Sequence, residues 1–211
     1  MIKTHHGIDS LPRGGGPNSI GGREYPVVEI NGKLWLAVNL DFKFPDCTIG
    51  GRLLQNTPQA DYYNEDENTY GWDGLKYGLL YNWHAVNYLE QNKETLLNGW
   101  RVPTMADYSA LVSYIGGTNK ARKLQSTSGW DTVQGTDNYG FNLKPAGYGG
   151  GTPGYVVNYG EVGKRAALWT ANEADATSAL YIWIYDNNSD VYLNQNNPKY
   201  IHRSLRLIKD I

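Results

Sequence analysis

The chain has 211 residues, 40% hydrophobic and 13% aromatic, enough to bury roughly two-thirds to three-quarters of the unfolded surface as one large domain. A formal charge of −2 and scattered Lys and Arg disfavour a phosphate-tracking nucleic-acid partner. The single Cys47 excludes an internal disulfide framework and argues against a thiolate metal site.

Residues 1–22 contain Pro12, Pro17 and the run Gly14-Gly15-Gly16, and read as a flexible arm or docking tail, with the folded domain over residues 23–211. No segment approaches the roughly eighteen apolar residues a membrane span needs, and Met1 to Ile20 holds no apolar run resembling a signal sequence. The expectation is a soluble, leaderless chain: a cytoplasmic protein, a virion component released by lysis, or a chain whose leader was removed.

Tyr25 to Ile30 and Lys33 to Leu40 are β-rich runs around Asn31-Gly32, a strong type I′ hairpin signal. Gly50 to Trp72 is polar and turn-rich and reads as a long surface loop. Its acids Asp61, Glu65, Asp66 and Glu67 are expected on a solvated face. Leu79 to Glu90 places Leu80, Trp83, Ala85 or Val86, and Leu89 at helical spacing. Thr104 and Asp107 precede Tyr108, Leu111, Val112 and Ile115 as a capped second helix that stops at Gly116-Gly117. Beyond Gly117 the chain reads as strands and loops. A hairpin, two helices and a strand-rich half make an α+β domain with antiparallel sheets and long loops.

From Ala179 to Tyr200 the chain alternates Leu180, Ile182 and Ile184 with Tyr181, Trp183 and Tyr185, then passes through Asp186-Asn187-Asn188-Ser189-Asp190 to Tyr192, Asn194, Asn196 and Asn197. A period of two assigns the aliphatics, with Val191 and Leu193, to a core face. Tyr181, Trp183, Tyr185, Tyr192 and Asn194 would point outward. Rigid rings mixed with short, adaptable polar groups are the chemistry of antibody-like paratopes. The bland alternative is that the rings are covered by the Tyr148 to Tyr159 loop or by another subunit. Trp35, Trp83, Trp100, Trp130 and Trp169 read as core anchors.

Further pieces are recognisable in order: Tyr25-Pro26-Val27-Val28-Glu29-Ile30 with Trp35-Leu36-Ala37-Val38-Asn39-Leu40, then Tyr77-Gly78-Leu79-Leu80-Tyr81-Asn82-Trp83. Gly99-Trp100-Arg101-Val102-Pro103-Thr104, Gly140-Phe141-Asn142-Leu143-Lys144-Pro145-Ala146-Gly147, Leu168-Trp169-Thr170 and Ser204-Leu205-Arg206-Leu207-Ile208-Lys209-Asp210 follow. With these the chain resembles the Fibrobacter succinogenes major paralogous domain family, from about Gly21 to Asp210. The resemblance implies a C-type lectin-like fold, a family that includes variable proteins diversified by retroelements, and a ligand-binding face over Tyr181 to His202, with Tyr200 and His202 at its end. Arg206 would be a structural hydrogen-bonding residue under that face. The family pattern usually has Gly-Phe before the closing Ser, where this chain has His202-Arg203.

Asp186 to Asp190 begins like a calcium loop, but Val191 replaces the turn glycine and no Glu follows at the twelfth position. The chain lacks a Gly-x-Ser-x-Gly elbow, a P-loop and His-Glu-x-x-His. His5, His6, His84 and His202 are not spaced as helical metal ligands. Gly149-Gly150-Gly151-Thr152-Pro153-Gly154 is read as a loop, because Pro153 and the β-like run after it deny it a helix N-terminus. The expectation is a non-enzymatic receptor-binding domain with no cofactor or metal. Its partner would be a bacterial surface protein or glycan, with no nucleic acid and no membrane insertion. The leading setting is a phage tail tip on the virion surface, where the arm docks the domain to the virion or to its own homotrimer. The alternatives are a bacterial cell-surface adhesin or lipoprotein lacking its leader, and a structural virion subunit.

Overall fold

The computed structural model describes residues 16–74 and 76–211. The expectations for His5-His6, Pro12 and the first part of the glycine run lie outside the described residues.

The strands in chain order are β1 (Ser19–Ile20), β2 (Arg23–Glu24), β3 (Val27–Ile30), β4 (Lys33–Leu36), β5 (Thr48–Ile49), β6 (Gln59–Asp61) and β7 (Leu80–Tyr81). They continue with β8 (Ala146–Gly150), β9 (Asn158–Val162), β10 (Arg165–Glu173), β11 (Ser178–Tyr185), β12 (Val191–Pro198) and β13 (Ile208–Asp210). The helices are α1 (Glu67–Tyr70), α2 (Trp83–Gln91), α3 (Lys93–Leu96) and α4 (Met105–Tyr114). The chain is thus a mixed α+β domain with several antiparallel sheets. Only the β5–β6 pairing is parallel among the described strands.

The β3–β4 hairpin forms as its sequence predicts. Ile30 pairs with Lys33, and Asn31 and Gly32 both have positive φ, at 55° and 68°, the backbone of a type I′ turn. A second hairpin sits upstream, where the sequence suggested a flexible arm. Ile20 pairs with Arg23 across Gly21 and Gly22, at φ 58° and 80°, and Ile20 lies in the core. Regular structure is therefore present before Arg23. The C-terminus closes the same end, since β13 pairs with β4 through Ile208–Trp35 and Asp210–Lys33.

Helix α2 begins four residues later than its apolar periodicity suggests, because Leu80–Tyr81 is a strand paired with β6. The Asn82 carboxamide accepts from the Ala85 N–H at 2.9 Å and caps the start. Trp83, Ala85, Val86 and Leu89 then bury one stripe, each large side chain contributing about 2 kcal/mol of transfer free energy. Helix α4 has the expected capping box. Thr104 Oγ1 accepts from the Asp107 N–H, and the Asp107 carboxylate accepts from the Thr104 N–H at 2.8 Å.

The antiparallel meander β10–β11–β12 runs through the middle of the molecule and is covered on both faces. One face carries Ala166, Leu168, Ile182, Ile184 and Val191 against Tyr108, Leu111 and Val112 of α4. The other carries Ala167, Trp169, Ala179 and Tyr181 in one core with Trp83, Val86 and Leu89 of α2. The five tryptophans read as anchors are all 3% exposed or less.

The stretch between Gly50 and Trp72 is not simply a solvated loop. Asp61 is 1% exposed, and Gln59, Ala60, Tyr62 and Tyr63 are buried beside it. Asp61 Oδ2 lies 3.1 Å from His202 Nδ1, both side chains closed to solvent, so the buried carboxyl group has a polar neighbour rather than an apolar wall. The glycine run after Gly147 serves close packing. A Cβ on Gly149 would lie 2.9 Å from Val157 and 3.2 Å from the His202 Cβ, and one on Gly150 would meet Ile201 at 2.9 Å.

Candidate functional site

The candidate face is the Tyr181 side of the meander, and cross-strand register decides which residues share it. Tyr181 pairs with Trp169 on one side and Gln195 on the other, while Trp183 pairs with Ala167 and Tyr192. Tyr185 pairs with Arg165. Ala179, Tyr181, Trp183 and Tyr185 of β11 therefore share a face with Arg165, Ala167 and Trp169 of β10, and with Tyr192, Gln195 and Asn197 of β12.

The expected phase holds along β11 and breaks along β12. A bulge between the Tyr181–Gln195 and Trp183–Tyr192 pairs sets Leu193 and Asn194 opposite the single Ile182, with Asn194 at φ 55°. Beyond it, Asn196 pairs with Leu180 and belongs to the aliphatic face. Gln195 takes the place on the ring face that simple alternation assigned to Asn194. An asparagine in the left-handed region is the sequence's only hint of this bulge.

The face is not uniformly open. Tyr181 is 6% exposed, which corrects its expected outward position. The Arg203 guanidinium lies 3.6 Å above its ring, Trp169 meets it edge-on, and its hydroxyl accepts from Asn197 Nδ2 at 3.2 Å. Asp186 is also buried. Its carboxylate accepts from the Thr132 hydroxyl at 2.6 Å and N–H at 3.1 Å, so it anchors a loop. His202 is fully buried against Asp61 and cannot touch a ligand. Arg203 fills the place where the family pattern has Phe, a flat guanidinium substituting for a ring against Tyr181. Burial lowers its pKa to about 10, still protonated at neutral pH.

Trp183, Tyr185 and Tyr192 are half-buried and form one cluster. Tyr192 stacks on Trp183 with centroids 3.9 Å apart and planes at 6°, and Tyr185 stands edge-on to Trp183 at 4.6 Å. Asn188 Nδ2 donates to the Tyr192 hydroxyl at 3.2 Å, its Oδ1 accepts from the Asp190 N–H, and Asn187 is exposed. Asp190, Asn197 and Tyr200 are half-buried, while Asn194 and Asn196 are exposed. Sequence reading missed Arg165, Glu161 and Tyr148. Arg165 lies within 5.4 Å of the Tyr148, Trp183 and Tyr185 ring centroids, and its Nε is 2.7 Å from Glu161 Oε2. The alternation Arg165, Ala167, Trp169 was the available signal.

Arg206 is wholly buried and donates to Leu36 O at 2.8 Å, Asn39 Oδ1 and Asn142 O at 3.0 Å, and Phe141 O. It ties the loops around β4 to the Phe141 segment, a structural role. Among the described residues no cluster of three His, Cys, Asp or Glu side chains could hold a metal ion. No helix among them is long and apolar enough to cross a membrane. The family model for the Fibrobacter succinogenes major domain matches residues 28–209. No curated protein matches the chain.

Proposed function

The chain belongs to the Fibrobacter succinogenes major domain family, and from that premise we propose that it is a non-enzymatic ligand-binding protein with a C-type lectin-like fold. The observation that carries this reading is the half-exposed cluster of Trp183, Tyr185 and Tyr192 on a face whose other end, at Tyr181 and Trp169, is buried. A rigid sheet with packing on both sides holds these rings, while Asn187, Asn188 and Asp190 supply short polar groups at one end. This is the chemistry of recognition. The buried Asp61–His202 pair is closed to solvent, and this supports a structural role for the one His–carboxylate pair of the described residues.

The ligand is carried on a bacterial surface, and the protein acts at the tip of a phage tail or as a variable protein of a diversifying retroelement. A cell-surface adhesin is the alternative setting. The test is binding of the fluorescently labelled chain to a panel of gut bacterial strains, beside a Trp183→Ala, Tyr185→Ala, Tyr192→Ala variant that leaves buried Tyr181 intact. Labelling of some strains by the wild type alone supports the reading. Equal labelling by both proteins, or none by either, overturns it.

A further inference from the structure

Arg165 opens β10 directly across from Tyr185, and its Cζ lies 4.8 Å from the Tyr185 centroid, 5.1 Å from that of Trp183 and 5.4 Å from that of Tyr148. Its Nη2 donates to the Tyr185 hydroxyl at 2.5 Å, and that hydroxyl donates to Glu161 Oε1 at 2.7 Å. With the Nε–Oε2 contact at 2.7 Å, the guanidinium and the carboxylate balance each other inside a wall of three rings. Glu161 sits at φ 62°, a conformation that favours glycine. The β9–β10 turn, closed by the Lys164 N–H on the Glu161 carbonyl, thus sets this carboxylate beside Arg165.

From this arrangement we propose that the ring face binds a neutral saccharide, read by the Trp183–Tyr192 stack together with the charge-balanced pair Arg165 and Glu161. The proposal rests on the ligand-binding reading above and adds two residues and a ligand class to it. An anionic ligand would have to displace Glu161 from Arg165, and a cationic one would have to displace Arg165. Neighbouring hydroxyls of a sugar can accept from the guanidinium and donate to the carboxylate with no charge left unpaired. Among the described residues Trp183 is the one ring stacked on Tyr192, which stays partly exposed, and the apolar C–H face of a sugar would pack against that exposed part. The Asn188 amide donates to the Tyr192 hydroxyl at its rim.

Size points the same way. A protein epitope needs about 20–30 residues a side. Burial of Tyr181, Asp186 and His202 leaves three half-exposed rings at the centre of this face, far fewer residues than a protein epitope uses. Linked copies would supply the avidity that a single site of this size lacks.

The experiment uses the full chain. Tryptophan emission is titrated with the methyl glycosides of glucose, galactose, mannose and N-acetylglucosamine, and with glucuronic acid and N-acetylneuraminic acid. The same compounds compete against labelling of the strains the protein recognises. At least one neutral glycoside is expected to shift the emission and compete, and the acids are not. Glu161→Gln, which keeps an acceptor for the Tyr185 hydroxyl but unbalances Arg165, is expected to lose neutral-sugar affinity about tenfold and to gain binding of the acids. A merely structural Glu161 would not change selectivity in that sense. Labelling that no glycoside competes and that protease treatment of the cells abolishes identifies a protein receptor; the saccharide inference then falls while the ligand-binding reading stands. Unchanged selectivity in Glu161→Gln overturns the assignment of the pair. Wild-type protein that labels no strain and responds to no sugar overturns both.

Discussion

His202 Nδ1 lies 3.1 Å from Asp61 Oδ2, and neither side chain has any exposed surface. The contact joins β6 to the segment that leads from β12 back into the fold. Removing one partner of a buried polar pair leaves the other without a partner and costs about 1–3 kcal/mol, whereas replacing both with apolar groups of similar size is often close to neutral. Asp61→Leu alone is therefore expected to lower stability by that amount. Asp61→Leu combined with His202→Leu should recover most of it. Urea unfolding of the four proteins of this double-mutant cycle measures the coupling, and additive losses would show that the two groups do not interact.

Arg203 makes the opposite prediction. Its guanidinium is buried over Tyr181, and its Nε and Nη1 find no hydrogen-bond acceptor. Arg203→Phe would keep a flat group on Tyr181 and remove a desolvated charge with unpaired donors. The expected gain is about 1–2 kcal/mol, or a Tm higher by about 2–4 °C per kcal/mol for a chain of this size. A lower Tm in this variant would mean that the guanidinium's attraction to Tyr181 and Trp169 outweighs its desolvation.

Asp107 links stability to pH. Burial raises its pKa, but the paired Nη donors of Arg101 at 2.7 and 3.0 Å and the Thr104 N–H outweigh that and hold the carboxyl at about 2. A pKa lowered in the folded state gives stability that is fully present above the unfolded value of 3.8 and is lost as pH falls through about 2. The contribution is about 2 kcal/mol. The stability difference between wild type and Asp107→Asn should thus shrink by about that amount between pH ~5 and pH ~2, read from urea midpoints. A difference that stays constant over this range would sink the assignment.

Two glycines at positive φ separate backbone strain from packing. A Cβ on Gly32 meets nothing within 4 Å, so Gly32→Ala should lose only the cost of the left-handed conformation, about 1 kcal/mol. A Cβ on Gly21 would lie 2.3 Å from the Phe42 ring, so Gly21→Ala adds overpacking and should cost about 2–4 kcal/mol. Thermal unfolding of both variants compares them. Equal losses would show that β1–β2 is not integral to the core.

The features the sequence revealed were those set by near neighbours. Asn31-Gly32 forces its hairpin and Thr104 with Asp107 caps its helix, because each depends on residues within one turn. Gly21-Gly22 carried the same signal, hidden by a Gly/Pro-rich surrounding that reads equally well as a tail. The face of β11 was legible in phase but not in exposure. Period two separates Tyr181 from Ile182, yet it cannot show that α2 and Arg203 cover one end of the ring face. Asp61 looked solvated because its partner, His202, is distant in sequence. Arg165 and Glu161 were missed because their role depends on β10 pairing with β11, a contact that alternation within one strand does not report.

The burial gradient along β11 gives the last prediction. Tyr181 and Tyr192 share a face but differ in what surrounds them: Tyr181 is packed between Trp169 and Arg203, and Tyr192 is half-exposed on Trp183. Tyr181→Ala removes a buried ring and should cost about 3–5 kcal/mol of stability. Tyr181→Phe loses only the Asn197 hydrogen bond, about 1 kcal/mol, and should leave cell labelling intact. Tyr192→Ala loses a stacking contact of about 0.5–1.5 kcal/mol beyond its modest burial, and should remain folded while labelling falls at least tenfold. Circular dichroism and labelling on the same samples separate the two effects. Lost labelling in folded Tyr181→Phe, with Tyr192→Ala unaffected, would move the binding site to the sealed end of the sheet.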